Sequence, residues 1–379
     1  MKQPGRYLLL FLVVIFSHSS GMVSCAQQPP PESSLDEKIG QMLMIGFRGM
    51  TVEESAHIYR DLRDFHLGGV LLFDVDVPSG RAHRNINDPD QVQALIRELQ
   101  SLASMPLFVA VDQEGGRVAR LKADRGFTVY PSAETLGTLN EPDTTQNQSQ
   151  SMARQLALLG FNVNFAPVVD VNTNPLNPII GRLGRSFSSD PETVIRHAAI
   201  FSEAHIAESV LPVIKHFPGH GSAWNDSHVG MADVSDTWDE LELIPFRSLI
   251  QSVAPLGVMT AHVFNASLDP ELPATLSGKV QTGLLREELG FEGVLFSDDM
   301  QMEAIRSFYG LDVAVQHAIE AGVDILVFAN NSVYEEEVVP EVVSLIHSLI
   351  DEGIITEERI NQSYRRITTA KRTLGIIRE

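Results

Sequence analysis

The sequence predicts an α/β protein built as a single (β/α)8 TIM barrel, and three observations predict it. Eight short apolar runs recur along the chain, each separated from the next by a loop and an amphipathic stretch. The runs are almost continuously apolar rather than alternating, as strands buried on both faces of a parallel sheet must be. Chemically capable residues gather at the C-terminal ends of several runs, where the loops of a barrel share one mouth.

Taken in order, the runs fall at 41–47 (QMLMIGF), 69–73 (GVLLF), 107–112 (LFVAVD) and 161–169 (FNVNFAPVV), then 211–216 (LPVIKH), 257–262 (GVMTAH), 293–298 (GVLFSD) and 323–328 (VDILVF). Helical periodicity fills intervals at 90–102, 191–207, 241–253, 278–289 and 311–321, and the stretches 334–350 and 357–374 close the chain. Strand and helix alternating over roughly 340 residues fit eight units with some long loops. A doubly wound open sheet is the competing architecture. Gly115-Gly116 follows a strand, but neither Gly-x-Gly-x-x-Gly nor a Gly-Lys-Ser/Thr loop is present. Segment 122–149 reads as a loop bordering the mouth, with no assigned role.

Residues 1–25 read as an export signal. Lys2 and Arg6 precede an apolar stretch at 7–16 that is too short for a bilayer core of about 30 Å. The single cysteine, Cys25, follows Met22-Val23-Ser24, where cleavage is expected. Lipidation of Cys25 is the preferred reading, placing the protein in the bacterial periplasm or at the cell surface, anchored to a membrane. Cleavage after Ala26 is the alternative. Residues 26–34 (AQQPPPESS) form a Pro-rich tether to a domain at 35–379. One cysteine rules out both an intrachain disulfide and a cysteine-based zinc site.

Composition narrows the partners. With 28 Lys and Arg against 49 Asp and Glu, the net charge is −21, which argues against nucleic acid as a partner. A hydrophobic content of 44% over 379 residues is ample for one large core.

The most informative stretch is 211–230, an apolar strand ending in Lys215-His216 and a Pro/Gly-broken loop carrying His220, Asp226 and His228. One residue between Asp226 and His228 lets the carboxylate orient the ring and stabilise its charged form. Asp298 directly ends the seventh run and would point into the mouth, whereas Asp299 reads as a cap for the next helix. His262 reads as a locally hydrogen-bonded side chain. Asp112, Arg120, Asp170, Asn172 and Arg185 also follow strands. Two chemistries could use this set. Asp298 could attack an electrophilic carbon while His228, poised by Asp226, gives and takes a proton. Alternatively, His216, His220, His228 and an aspartate could bind a water-activating metal, but the first strand lacks the His-x-His pair usual in barrel metallohydrolases.

Five ordered motifs, VDQEGGRV, GRSFS, KHFPGHG with its downstream DSH, and FSDDM, resemble glycoside hydrolase family 3, in its bacterial β-N-acetylglucosaminidase branch. The resemblance implies a TIM barrel, no cofactor or metal, and retaining hydrolysis of terminal β-linked N-acetylglucosamine. It implies Asp298 as nucleophile, His228 as acid/base and Asp226 as its activating partner. It implies Asp112, Arg120, Arg185, Lys215 and His216 as the grip on the sugar. The export signal departs from the family's best-known cytoplasmic members, leaving peptidoglycan fragments, chitooligosaccharides and host glycan termini all open as substrates. A phosphorylase or transglycosylase, and a non-catalytic lipid-anchored glycan-binding protein, are the competing functions. A monomer is the expected state.

Overall fold

The computed structural model describes Met1 and residues 33–227, 230–331 and 333–377. The expected signal, Cys25 and most of the tether lie outside these residues, as does His228. The folded unit begins at Ser34, which caps the first helix, α1 (Leu35–Gln41). Its hydroxyl accepts from the Glu37 N–H while the Glu37 carboxylate accepts from the Ser34 N–H, a reciprocal capping box.

Eight parallel strands close into a barrel: β1 (Leu43–Gly46), β2 (Gly69–Leu71), β3 (Phe108–Val111), β4 (Val163–Asn164), β5 (Leu211–Phe217), β6 (Gly257–Thr260), β7 (Leu295–Asp299) and β8 (Ile325–Phe328). Each pairs with its sequence neighbours, and β8 closes onto β1 through Leu43–Leu326 and its successors. Six fall within the apolar runs, and β5 and β7 each extend one residue beyond theirs, to Phe217 and Asp299. The barrel interior is filled, not hollow: Phe296 packs on Phe165 at 5.5 Å and on Phe108 at 6.3 Å between ring centroids. Gly257 makes room for that cluster, because a Cβ there would lie 2.9 Å from Val213 and 3.1 Å from the Phe296 ring.

Helices wrap the outside, and their ends explain their bounds. Asp88 caps Pro89–Leu102 and Asp190 caps Pro191–Ala207, each with proline in the first turn, where no N–H is needed. Segment 241–253 forms a 3-10 turn running into Ile244–Ser252, and 278–289 winds as a π-helix over Lys279–Glu288.

Segment 122–149 is corrected: much of it is helical. It holds Ala133–Leu139 and the first part of Pro142–Leu159, the outer helix between β3 and β4. Its opening turns, TTQNQSQS, are nearly all polar and hid the periodicity.

The barrel's lower end is fastened by the last helix, Glu357–Thr373. The buried Lys371 ammonium donates to Gln41 Oε1 (2.7 Å) and the Gly68 carbonyl (3.0 Å), 4.9 Å from the Phe108 ring centroid. Beside it, buried Asp324 gathers Arg286 at 2.6 Å and Arg366 at 3.1 Å. Among the described residues no helix is long and apolar enough to cross a membrane.

Candidate active site

The site is built where β3, β4, β5 and β7 end. Beyond β3 the chain makes a small hairpin, Gln113–Gly115 against Val118–Ala119, turning on Gly115 and Gly116, both at positive φ. The Gln113 side chain accepts from the N–H groups of Arg120 (3.0 Å) and Leu121 (3.1 Å), fixing the returning strand. That places Arg120 beside Asp112, at 3.0 Å.

Lys215 and His216 follow on β5. Neighbouring side chains in a regular strand face opposite ways, yet both line the mouth, and the peptide joining them is cis. Lys215 Nζ donates to Asp112 Oδ1 (3.0 Å) and Glu114 Oε1 (2.8 Å). Arg185 arrives on the long loop after β4 and grips Glu114 with two N–H groups, at 2.8 and 2.7 Å. Its Nη2 also donates to His216 Nε2 at 3.1 Å.

That last contact fixes the imidazole. A guanidinium can only donate, so Nε2 must accept and the proton sits on Nδ1. Nδ1–H then donates to Asp170 Oδ2 at 2.7 Å. Burial, then the charges of Arg185 and Lys215, drive the His216 pKa well below the ordinary value. His216 is therefore a neutral hydrogen-bonder with both nitrogens engaged, ill suited to proton transfer.

The carboxylates divide by environment. Burial would raise Asp112, but Lys215 and Arg120 outweigh it and hold its pKa well below the usual range. Glu114 is likewise brought down to about 2 by Arg185 and Lys215 against the pull of burial. Asp170 has no full cation of its own, and burial pushes it up to about 6 although backbone N–H groups of His216 and His220 donate to it. All three are ionised at neutral pH.

Asp298 sits at the C-terminal end of β7. Its N–H donates to Thr260 Oγ1 (3.2 Å), and its Oδ1 accepts the Asp299 N–H at 2.8 Å. The expectation that Asp299 caps the next helix is corrected: the N-cap of Glu303–Ala321 is Met302, and the Asp299 carboxylate instead accepts from the N–H groups of Gln301 (3.1 Å) and Ala329 (3.0 Å), tying β7 to β8. His262 is buried and local, as read: Nε2–H donates to the Asp299 carbonyl (2.9 Å) and Nδ1 meets the Thr275 hydroxyl (2.8 Å).

One cavity of about 250 Å³ joins these groups. Asp112, Arg120, Arg185, Lys215, His216 and Asp298 all line it, over an apolar floor that includes Phe165, Met259 and Val327. Ser227 also lines it, and its hydroxyl bonds His220 Nε2 at 3.2 Å. Asp226 is the residue before Ser227. Because His228 lies outside the described residues, the Asp226–His228 pairing remains an expectation. Donors ringing a carboxylate in one cavity can hold a hydroxylated ring against that carboxylate. Among the described residues, no group of three or more His, Cys, Asp or Glu could hold a metal ion.

Three members of this constellation escaped the site assignment from sequence: Glu114, Asp170 and His220. Glu114 carried a usable signal, since it lies two residues after Asp112 and extended chain turns such residues the same way.

The family model for the glycosyl hydrolase family 3 N terminal domain matches residues 34–370. The chain belongs to glycosyl hydrolase family 3. Family 3 relatives of high similarity include beta-hexosaminidase LpqI of Mycobacterium tuberculosis, 34% identical over 92% of this chain and 86% of that protein. The family 3 beta-N-acetylglucosaminidase structure from Paenibacillus sp. str. FPU-7 aligns with a TM-score of 0.83 and 35% identity over 91% of this chain. This family 3 chain spans 63% of the Paenibacillus one. The beta-N-acetylhexosaminidase structure from Beutenbergia cavernae aligns with a TM-score of 0.78 and 31% identity, over 90% of this chain and 99% of that one. The protein is thus a family 3 glycoside hydrolase, and its barrel is the one expected.

Proposed function

We propose that this family 3 hydrolase is a retaining exo-β-N-acetylglucosaminidase that removes terminal non-reducing β-linked N-acetylglucosamine from oligosaccharides. The observation that carries the reading is the cavity that Asp298 lines together with Asp112, Arg120, Arg185, Lys215 and His216. The names of its relatives support the sugar.

In the proposed reaction a carboxylate oxygen of Asp298 bonds to the anomeric carbon as the bond from that carbon to the leaving oxygen breaks. His228, as imidazolium oriented by Asp226, gives its proton to that oxygen. Water then attacks the anomeric carbon, its proton passes to His228, and the Asp298 ester bond breaks. Two inversions give retention. Asp112 with Lys215, and Arg185 with His216, hold the ring hydroxyls throughout.

Hydrolysis of an aryl β-N-acetylglucosaminide beside the matching β-glucoside, by wild type and Asp298→Ala, tests this. Activity on the acetamido sugar alone, lost in the variant, is expected. Activity on both sugars would break the assignment of the sugar. A sugar 1-phosphate formed on adding phosphate would favour a phosphorylase. A folded protein inert on both would favour a binding protein.

The protein is proposed to act outside the cytoplasm, anchored through lipidated Cys25 by the tether at 26–34. Cys25→Ala should move it from the membrane fraction to the soluble one; an unchanged distribution would refute the anchor. Peptidoglycan fragments and chitooligosaccharides are the proposed substrates, compared directly by release of N-acetylglucosamine.

A further inference from the structure

The chain has two tryptophans, and the fold uses only one. Trp238 packs against the core and donates its indole N–H to the Pro218 carbonyl at 3.1 Å. Trp224 is 60% exposed. Leaving most of a large aromatic in water forgoes the burial that ordinarily fixes such a side chain.

Its position is set by the span that carries it. His220 and Ser227 both line the sugar cavity, and exposed Trp224 lies in the short span between them. The start of that span is pinned. Asn177 Nδ2 donates to the His220 carbonyl (2.7 Å), and Asn174 Nδ2 donates to the Ala223 carbonyl (2.9 Å). From behind, the Gly221 N–H donates to Glu242 Oε2 (2.8 Å), and the His220 N–H donates to Asp170 Oδ1 (2.8 Å). Ala223, the residue before the tryptophan, is fully buried. Four hydrogen bonds thus pin the backbone up to the point where the indole leaves it.

The neighbouring loop is shaped to match. Asn174 and Asn177, which clamp the span, flank Leu176, itself 55% exposed. Ile179 and Leu183 on the same loop line the cavity.

We propose that Trp224 is the stacking platform of a leaving-group subsite, and that it takes a pyranose ring rather than an unstructured aglycone. This rests on the exo-glycosidase reading above. Trp224 lies two residues before Asp226, on the loop assigned to deliver the proton to the leaving oxygen, so it belongs to the side of the scissile bond where the leaving sugar sits. A β-linked pyranose with equatorial substituents presents flat C–H faces, which an indole covers well. An aromatic whose preceding backbone is already pinned loses less freedom on binding such a face. The indole is thus a specificity residue for saccharide leaving groups, separate from the polar grip on the departing N-acetylglucosamine.

The test compares chitobiose and chitotriose, which place a sugar on the platform, with N-acetylglucosaminyl β-fluoride, whose leaving group reaches no platform. Trp224→Ala should lower kcat/KM for the oligosaccharides about five- to tenfold and leave the fluoride unchanged. Trp224→Phe should recover most of the loss. A direct readout uses Asp298→Ala protein, which holds glycan without turnover. Chitotriose should shift the tryptophan fluorescence there and not in Asp298→Ala/Trp224→Phe, where Trp238 alone remains.

Equal losses on fluoride and oligosaccharide would assign Trp224 to the loop's structure and overturn the proposal. So would unchanged oligosaccharide kinetics, or glycan binding by calorimetry with no fluorescence response. A wild type that cleaves neither kind of substrate would instead overturn the exo-glycosidase reading, and this one with it.

Discussion

Lys215 Nζ lies 2.8 Å from Glu114 Oε1 and is shared with Asp112, so one buried ammonium holds two carboxylates that stand two residues apart beyond β3. Its side chain is 3% exposed, which makes this pairing energetic as well as geometric. Removing one partner from a buried set leaves charge uncompensated, at about 3–5 kcal/mol. Lys215→Met should therefore lower the stability measured by denaturant unfolding by that order and weaken substrate binding together. A variant as stable as wild type would show that the ammonium is not the keystone of this pair.

The same pairing sets an acid limit. Glu114 has its pKa brought down from 4.5 to about 2 in the folded state, so its contribution is present above the unfolded value and lost as pH falls from 4.5 toward 2. Wild type should lose stability through that window in denaturant unfolding, and Lys215→Met, in which Glu114 is less depressed, should lose less across the same window.

Arg185 fixes the state of His216. The His216 ring should remain neutral with its proton on Nδ1 at pH 6 to 8, about the ordinary histidine value, visible in nitrogen-resolved NMR of labelled histidine. Arg185→Lys loses the two-pronged hold on Glu114 and should lower kcat/KM at least about tenfold, mainly through KM. Finding the proton on Nε2 in wild type would refute this assignment.

His228 as proton donor predicts a dependence on the leaving group. His228→Ala should slow substrates with basic leaving groups by about 10²–10⁴-fold and spare a dinitrophenyl glycoside, which leaves without protonation. Uniform slowing of the whole series would point to a structural role.

Two buried groups outside the sugar grip should tilt stability in opposite directions. Burial raises Glu242, whose Oε2 accepts from Gly221, from 4.5 to about 8. Its protonated form belongs to the folded state, so its contribution is full below 4.5 and lost as pH rises to about 8. Glu242→Gln, which mimics the neutral acid, should remove that decline in a pH series of melting temperatures.

Lys371 is the converse. Burial lowers it from 10.5 to about 7, so between those values the unfolded chain holds a proton that the folded one has released. Stability from this group rises with pH across that window, by no more than about 1.4 kcal/mol per pH unit. Lys371→Met should abolish the rise; a slope identical in the variant would place the titration elsewhere.

What the sequence determined by itself was everything carried by local pattern. Eight apolar runs specify eight strands because a strand buried on both faces must be apolar throughout. Asp298 and Lys215-His216 were legible because a polar residue ending such a run has only the mouth to face. The helix Pro142–Leu159 was not legible, since its polar opening carries no period to read. The pairing of Glu114 with Arg185, 71 residues away, and of Asp170 with His216, 46 away, was decided only in three dimensions. So were the proton position on His216 and the exposure of Trp224. Each depends on which strand ends meet when the barrel closes, and on how far water is excluded there. Closure brings together residues whose sequence neighbours say nothing of one another, and burial then sets their charge.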